Sequence, residues 1–127
     1  MCGIEELYKI AESNNIEVFN GCFPVCKGIS SEGFIGIDND LLETEEAVCL
    51  AHELGHCMTG AFYSLGTPLV ERRQAERKAE KWAIKKLVPA EELERALKEN
   101  YHLYEIAEMF GVTEDFIRKA VEYYSQT

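Results

Sequence analysis

The chain has 127 residues, 46% of them hydrophobic, so it is long enough for one domain with a real core and too apolar for wholesale disorder. Its 23 acidic residues outnumber its 13 basic residues and give a net charge of −10 at pH 7. That charge opposes binding to nucleic acid through phosphates, which requires clusters of Lys and Arg. We therefore expect a globular protein whose partners are neutral or basic.

The sequence also bears on cellular location. No apolar run approaches the roughly 18 residues of a membrane span, and the N-terminus lacks the basic and apolar regions of a signal peptide. We therefore expect a cytoplasmic protein, with no membrane association, whose five cysteines are reduced thiols. Cys22 and Cys26 could form a separate zinc site, but no second pair has a useful spacing and Pro24 between them indicates a turn.

The first element is predicted to be an amphipathic helix. Residues 4–14 carry apolar side chains at helical spacing. Ser13-Asn14-Asn15 is typical of a helix end, so the helix should stop there.

A small sheet should follow this helix. Ile16–Phe19 is typical of a short strand, Asn20-Gly21 of a turn, and residues 23–29 of an irregular or extended return. Residues 33–38 indicate a better strand, with Ser30-Ser31 as its boundary. These pieces predict a small antiparallel sheet.

The sequence HELGH, an HExxH pattern, begins at His52. On a helix, two histidines four residues apart project from one face, so His52 and His56 can bind one Zn²⁺ while Glu53 reaches a water that the metal polarises. Thr44 is a candidate N-cap of this helix, and Gly55 leaves room for close packing. The alternative is a structural helix whose histidines happen to be spaced by four.

Two further residues near this pattern have open roles. Cys49, one turn before His52, could lie near the metal, but a small core residue is the usual fate of a free cysteine. Residues 58–68 contain two glycines and a proline and predict a loop that could form one wall of a substrate cleft. Tyr63 in this loop could donate to a developing oxyanion, but packing on the core is the commoner explanation.

A second helix is predicted over residues 70–88, with Glu76 and Glu80 one turn apart. Zinc sites of the HExxH type can take a third ligand from a Glu on a second helix, and another acidic residue one turn later can brace a ligand histidine. A solvated acidic face that pairs with neighbouring Lys and Arg is the structural alternative. Glu71 and Glu91 are further candidates, and spacing alone does not choose among the four.

The C-terminal part should be helical. Pro89 stands at the head of one helix, and residues 103–121 predict a helix, a glycine turn and a helix, the pattern of a helix-turn-helix. The second of these helices starts with Thr113-Glu114-Asp115, which would present negative charge to phosphates. We therefore interpret this segment as a packing unit rather than a DNA reader, and His102 as a surface or packing residue.

Together the motifs resemble a known family. The HExxH pattern, followed by Glu76-x-x-Ala79-x-x-Trp82-Ala83-x-x-x-Leu87-Val88-Pro89, resembles the ImmA/IrrE metallopeptidases of bacteria and their mobile elements. The chain departs from the family pattern in having Trp82 where Phe is usual and Lys78 where a second acidic residue is common. Neither change touches a metal ligand. The resemblance runs from about residue 33 to the end of the chain.

The resemblance implies specific roles for the motif residues. His52, His56 and Glu76 would be the ligands of one Zn²⁺ per chain. Glu53 would be the general base, and Glu80 a residue that braces the site from outside the ligand set.

The resemblance also implies a fold and a substrate. The fold would be a small α+β, zincin-like metallopeptidase domain, mostly helical, with a small antiparallel sheet beside the HExxH helix. A single domain would span the chain, with the N-terminal helix and sheet in residues 1–42, the metal-binding helices in 43–89 and the helix-turn-helix-like packing segment in 90–127. Family members cleave, or promote cleavage of, helix-turn-helix repressors, so the expected substrate is a repressor of a phage or mobile element.

Two other functions stay open at this point. A non-catalytic regulator could use zinc structurally and bind a repressor, but it does not explain Glu53 or an open coordination position. A DNA-binding regulator could use residues 103–121, against the acidic charge of the chain.

Overall fold

A computed structural model describes residues 2–23 and 26–126 and has the predicted α+β architecture. Within these residues six helices flank a three-stranded sheet. In chain order the elements are α1 (Ile4–Ser13), β1 (Glu17–Gly21), β2 (Gly28–Ser31), β3 (Phe34–Asp38), α2 (Glu43–Thr59), α3 (Leu69–Leu87), α4 (Ala90–Lys98), α5 (Leu103–Phe110) and α6 (Glu114–Ser125).

Helix α1 confirms the predicted N-terminal helix. It buries Leu7 and Ala11, and the chain leaves it through Asn15, whose φ of 58° is left-handed. The Tyr8 hydroxyl donates to a Glu46 carboxylate oxygen at 2.5 Å, which ties α1 to α2. The first helix therefore supports the helix that carries the HExxH residues.

The sheet is mixed, so the prediction of an antiparallel sheet is wrong for one of its two pairings. The strand order is β1-β3-β2, with β1 parallel and β2 antiparallel to β3. The predicted turn at Asn20-Gly21 is also wrong, because both residues continue β1 and pair with β3. Ser30 and Ser31, predicted as a boundary, belong to β2. The turn predicted at Pro24 lies outside the described residues.

Strand β3 occupies the centre of the sheet and carries its core side chains. Ile35 and Ile37 have no exposed surface, and the sheet packs on α2 through β2 and β3. Among the described strands β2 stands at one end of the order β1-β3-β2, so it is an edge strand. The sheet thus lies beside the HExxH helix, as expected, with an edge strand against it.

Helices α2 and α3 form the centre of the fold. Leu50 and Leu54 of α2 and Ile84 and Leu87 of α3 are almost fully buried. The predicted N-cap at Thr44 is wrong because Thr44 lies inside α2, whose N-cap residue is Leu42. The Glu45 carboxylate accepts a hydrogen bond from the Leu42 backbone N–H at 3.0 Å and satisfies a donor at the start of the helix.

The C-terminal helices confirm the predicted helix, glycine turn and helix. Gly111, with a φ of 68°, ends α5, and the Thr113 side chain caps α6 by accepting from the Phe116 N–H at 3.2 Å. Phe110, Phe116 and Ile117 are buried in the same core as α2 and α3. Across the described ranges, no helix combines the length and apolar character that crossing a membrane requires.

Candidate metal centre

Helix α2 places the two histidines of the HExxH pattern on one face, as their spacing predicted. The ring centroids of His52 and His56 are 5.0 Å apart at an interplanar angle of 80°. His56 is buried, with 5% of its surface exposed, whereas His52 is partly exposed. The pair therefore stands at the boundary between the core and solvent.

Helix α3 brings Glu76 to both imidazoles. Glu76 Oε2 lies 2.7 Å from His52 Nε2, and Glu76 Oε1 lies 3.2 Å from His56 Nε2. One ligand atom of His52, one of His56 and one of Glu76 all lie within 4.8 Å of one another. Two imidazole nitrogens and a carboxylate are a donor set that fits Zn²⁺, so this group could hold a metal ion.

The approach of α3 to α2 depends on Gly55. A Cβ atom built on Gly55 would lie 2.5 Å from the Ala79 carbonyl oxygen and 2.9 Å from Ala79 Cα. Ala79 lies one turn after Glu76, so the close contact between the helices is adjacent to the cluster formed by His52, His56 and Glu76. The expectation that Gly55 allows close packing is confirmed.

The tautomer of His56 suits metal binding. Its Nδ1 lies 2.6 Å from the Ala61 carbonyl oxygen, which can only accept. The ring nitrogen Nδ1 must therefore carry the proton and donate it. In the neutral ring the lone pair of Nε2 then lies on the side that faces Glu76.

Glu80 lies on the other side of the His52 ring from Glu76. Its Oε2 is 3.9 Å from His52 Nδ1 and 3.8 Å from the Lys119 ammonium of α6. These distances are too long for hydrogen bonds but allow electrostatic attraction. Glu80 thus links the C-terminal helix to a histidine of the cluster.

The other candidate residues do not join the cluster. Glu71 and Glu91 are exposed, and neither belongs to the group of three donors found among the described residues. His102 is exposed at the start of α5, where its backbone N–H donates to Glu105. Its interpretation as a surface residue is confirmed.

Glu53 lines a cleft beside the cluster. Its carboxylate is held by a residue that the sequence alone did not reveal. The Ser30 hydroxyl of β2 donates to Glu53 Oε1 at 2.7 Å. Ser30 looked like a strand boundary because it is small and polar. Its role depends on the packing of the edge strand against α2, which leaves no local signal in the sequence.

Tyr63 also lies at the cluster, so the prediction that it packs on the core is wrong. It is 45% exposed, and its hydroxyl donates to Glu76 Oε1 at 2.7 Å. This hydrogen bond raises the pKa of the Tyr63 phenol. Burial disfavours ionisation of Glu76, but the hydrogen bond from Tyr63 and the nearby His52 imidazole lower its pKa below the usual value. Glu76 is therefore held as a carboxylate.

The five cysteines stand apart from the donor group. Cys49 is buried in the core, as predicted, and burial raises the pKa of its thiol to about 12. Cys22 and Cys26 are exposed, and all five cysteines are free thiols.

A cleft runs past the cluster in two directions. On one side is a cavity of about 220 Å³ with Ile29, Phe62 and Tyr63 in its wall, and on the other a cavity of about 580 Å³ between the sheet and α6. Both cavities are lined by Gly28, Glu53 and Glu76. The cluster therefore lies within a cleft that extends to either side of it.

Comparison with known proteins identifies the family. Residues 25–122 match the peptidase M78 family, described as the IrrE N-terminal-like domain. The chain belongs to this family. The resemblance to the ImmA/IrrE metallopeptidases is thereby confirmed, and the family is metal-dependent, in agreement with a cluster that could hold a metal ion.

The fold of this family member has a counterpart among solved structures. A Mycobacterium tuberculosis transcriptional regulator superimposes with a TM-score of 0.70 at 16% identity, over 89% of this chain and 39% of that protein. The chain thus spans well under half the length of the regulator, and the likeness concerns the fold alone. No curated protein matches the sequence.

Proposed function

We propose that the chain is a zinc-dependent endopeptidase in which His52, His56 and Glu76 hold the metal and Glu53 is the general base. The observation that carries this proposal is the convergence of Glu76 on both Nε2 atoms, next to a carboxylate that faces the same cleft. Membership of a peptidase family supports the reaction type. A purely structural zinc site would give no reason for Glu53 to line the cleft.

The side chains of this cleft have distinct tasks. When bound, the metal ion supplies Lewis-acid chemistry that polarises a water molecule and the scissile carbonyl group. Glu53 takes the proton of the water and later delivers it to the leaving amine. The hydrogen bond from Ser30 to Oε1 holds the Glu53 carboxylate in one orientation and leaves Oε2 to accept the proton.

The shape of the cleft favours an internal bond of an extended polypeptide as the substrate. Space is available on both sides of the cluster, as an endopeptidase requires. Gly28, Ile29 and Ser30 of the edge strand β2 line this space, and an edge strand can pair with an extended peptide through main-chain hydrogen bonds.

The resemblance to the ImmA/IrrE metallopeptidases suggests the identity of the substrate. We infer that it is a helix-turn-helix repressor of a phage or mobile element, which is cleaved in the cytoplasm. The net charge of −10 suits a basic partner such as a DNA-binding repressor.

The test compares wild-type protein with Glu53→Gln and with Glu43→Gln, an equivalent change at an exposed position on the same helix. Each zinc-loaded protein is incubated with a mixture of synthetic peptides and with a cell extract, and new N-termini are identified by mass spectrometry. We expect cleavage by wild type and Glu43→Gln, loss of cleavage with Glu53→Gln, and a repressor among the cleaved proteins. Equal cleavage by Glu53→Gln would contradict the assigned base.

A further inference from the structure

The hydrogen bond from Tyr63 to Glu76 is a direct contact of the cluster that the proposed reaction does not use. The two oxygens of Glu76 face different neighbours, Oε2 towards His52 and Oε1 towards both His56 and the Tyr63 hydroxyl. A rotation of the carboxylate about its last bond would break the contact with the hydroxyl. The hydroxyl therefore selects one orientation of this carboxylate.

Burial does not explain the position of Tyr63. Nearly half of its surface is exposed, and its ring and the His56 ring form a T-shaped pair with a centroid distance of 6.1 Å. The position instead comes from the loop formed by residues 60–68, which leads from α2 to α3. Segments with few buried apolar contacts open easily, so the contacts that hold this loop decide where the Tyr63 hydroxyl lies.

Several hydrogen bonds hold this loop. At its start, the Ala61 carbonyl accepts from His56 Nδ1 at 2.6 Å. At its end, Arg72 of α3 donates from Nε to the Thr67 carbonyl at 2.7 Å and from Nη2 to the Leu65 carbonyl at 2.5 Å. Tyr63 lies between these anchors, so its hydroxyl is presented to Glu76 by a fixed backbone.

We propose that Tyr63 is a positioning residue for the metal, acting through Glu76. Ligand carboxylates commonly receive hydrogen bonds from outside the ligand set, and loss of such a partner lowers metal affinity by roughly 10–100-fold. The Tyr63 hydroxyl occupies a lone pair of Oε1 and orients the carboxylate before the metal arrives. This inference rests on the proposed function, because it requires Glu76 to be a ligand.

The experiment measures metal binding without any substrate. Wild type, Tyr63→Phe and the control Tyr101→Phe, which removes a hydroxyl from an exposed tyrosine of the α4–α5 connection, compete with a chromophoric chelator for Zn²⁺. Cobalt(II) absorption spectra of the same proteins report the ligand field. We expect Tyr63→Phe to raise the Kd for Zn²⁺ about tenfold and to change the cobalt spectrum, with Tyr101→Phe equal to wild type.

A second comparison shows whether the effect passes through Glu76. In a Glu76→Ala background, Tyr63→Phe should leave the remaining zinc affinity unchanged, since its hydroxyl then has no carboxylate to orient. Tyr63→Phe with the zinc affinity and cobalt spectrum of wild type would overturn the inference and leave the proposed function standing. A wild-type protein that binds no zinc would overturn both.

Discussion

The contact between Gly55 and Ala79 makes the metal centre sensitive to a single methyl group. In Gly55→Ala the added Cβ would lie 2.5 Å from the Ala79 carbonyl oxygen, 0.9 Å inside the 3.4 Å at which ordinary contacts begin. The three Ala79 atoms nearest to the added Cβ all belong to the backbone, so no side-chain rotation relieves the overlap and α2 must move away from α3. Overpacking of this kind costs about 3 kcal/mol at the upper end of its usual range. Alanine recovers about 1 kcal/mol through its helix propensity, which leaves a loss of about 2 kcal/mol.

Thermal unfolding in the presence of a chelator measures this loss without a contribution from metal. For a chain of this length 2 kcal/mol corresponds to a fall in Tm of roughly 8 °C. Gly66→Ala is the matched control, because a Cβ at Gly66 meets no atom within 4 Å. Separation of the helices should also weaken zinc binding, since Glu76 and His56 lie on opposite sides of the contact. A Gly55→Ala protein with wild-type Tm and zinc affinity would refute this account of the helix packing.

Three further predictions follow from other contacts. Ser30→Ala removes the hydrogen bond to Glu53 and should lower kcat about tenfold with little effect on KM, because a hydrogen bond to a charged group contributes about 1.5 kcal/mol. Ser30→Thr keeps a hydroxyl and should retain the wild-type rate. An unchanged kcat in Ser30→Ala would contradict the role of Ser30. Arg72→Ala should speed limited proteolysis in the loop between α2 and α3 about tenfold, because two carbonyl contacts are lost, whereas the exposed Arg73→Ala should cleave at the wild-type rate. Burial raises the pKa of the Cys49 thiol from 9.0 to about 12. The stability that comes from keeping this thiol neutral is fully present below pH 9.0 and is lost as the pH rises towards 12. Denaturant unfolding of wild type and Cys49→Ala should therefore diverge over that pH range, and parallel curves would contradict the prediction.

The sequence predicted the elements of this fold better than their arrangement. The helical segments carry strong periodic signals, and α1, α3, α5 and α6 lie where those signals place them. The parallel pairing of β1 with β3 escaped prediction because Asn20-Gly21 has the local preference of a turn, while tertiary pairing extends β1 through both residues. Local chemistry does not encode which strand becomes the central one.

In the candidate site, too, local spacing predicts some residues, whereas tertiary packing decides the others. The i, i+4 spacing alone places His52 and His56 on one face, whereas the choice of Glu76 over Glu80 depends on how α3 crosses α2. Family resemblance selected Glu76, and residue spacing by itself did not. Ser30 contacts Glu53 from an edge strand, and Tyr63 contacts Glu76 from a loop. Such contacts depend on the path of the chain in three dimensions.

The metal content of the purified protein tests the central claim most directly. Elemental analysis should find one zinc per chain in wild type and almost none in His52→Ala or Glu76→Ala, with Glu71→Ala as a control that keeps its zinc because this exposed residue lies outside the cluster. Wild-type protein without zinc, or variants that retain it, would contradict a metal centre formed by α2 and α3.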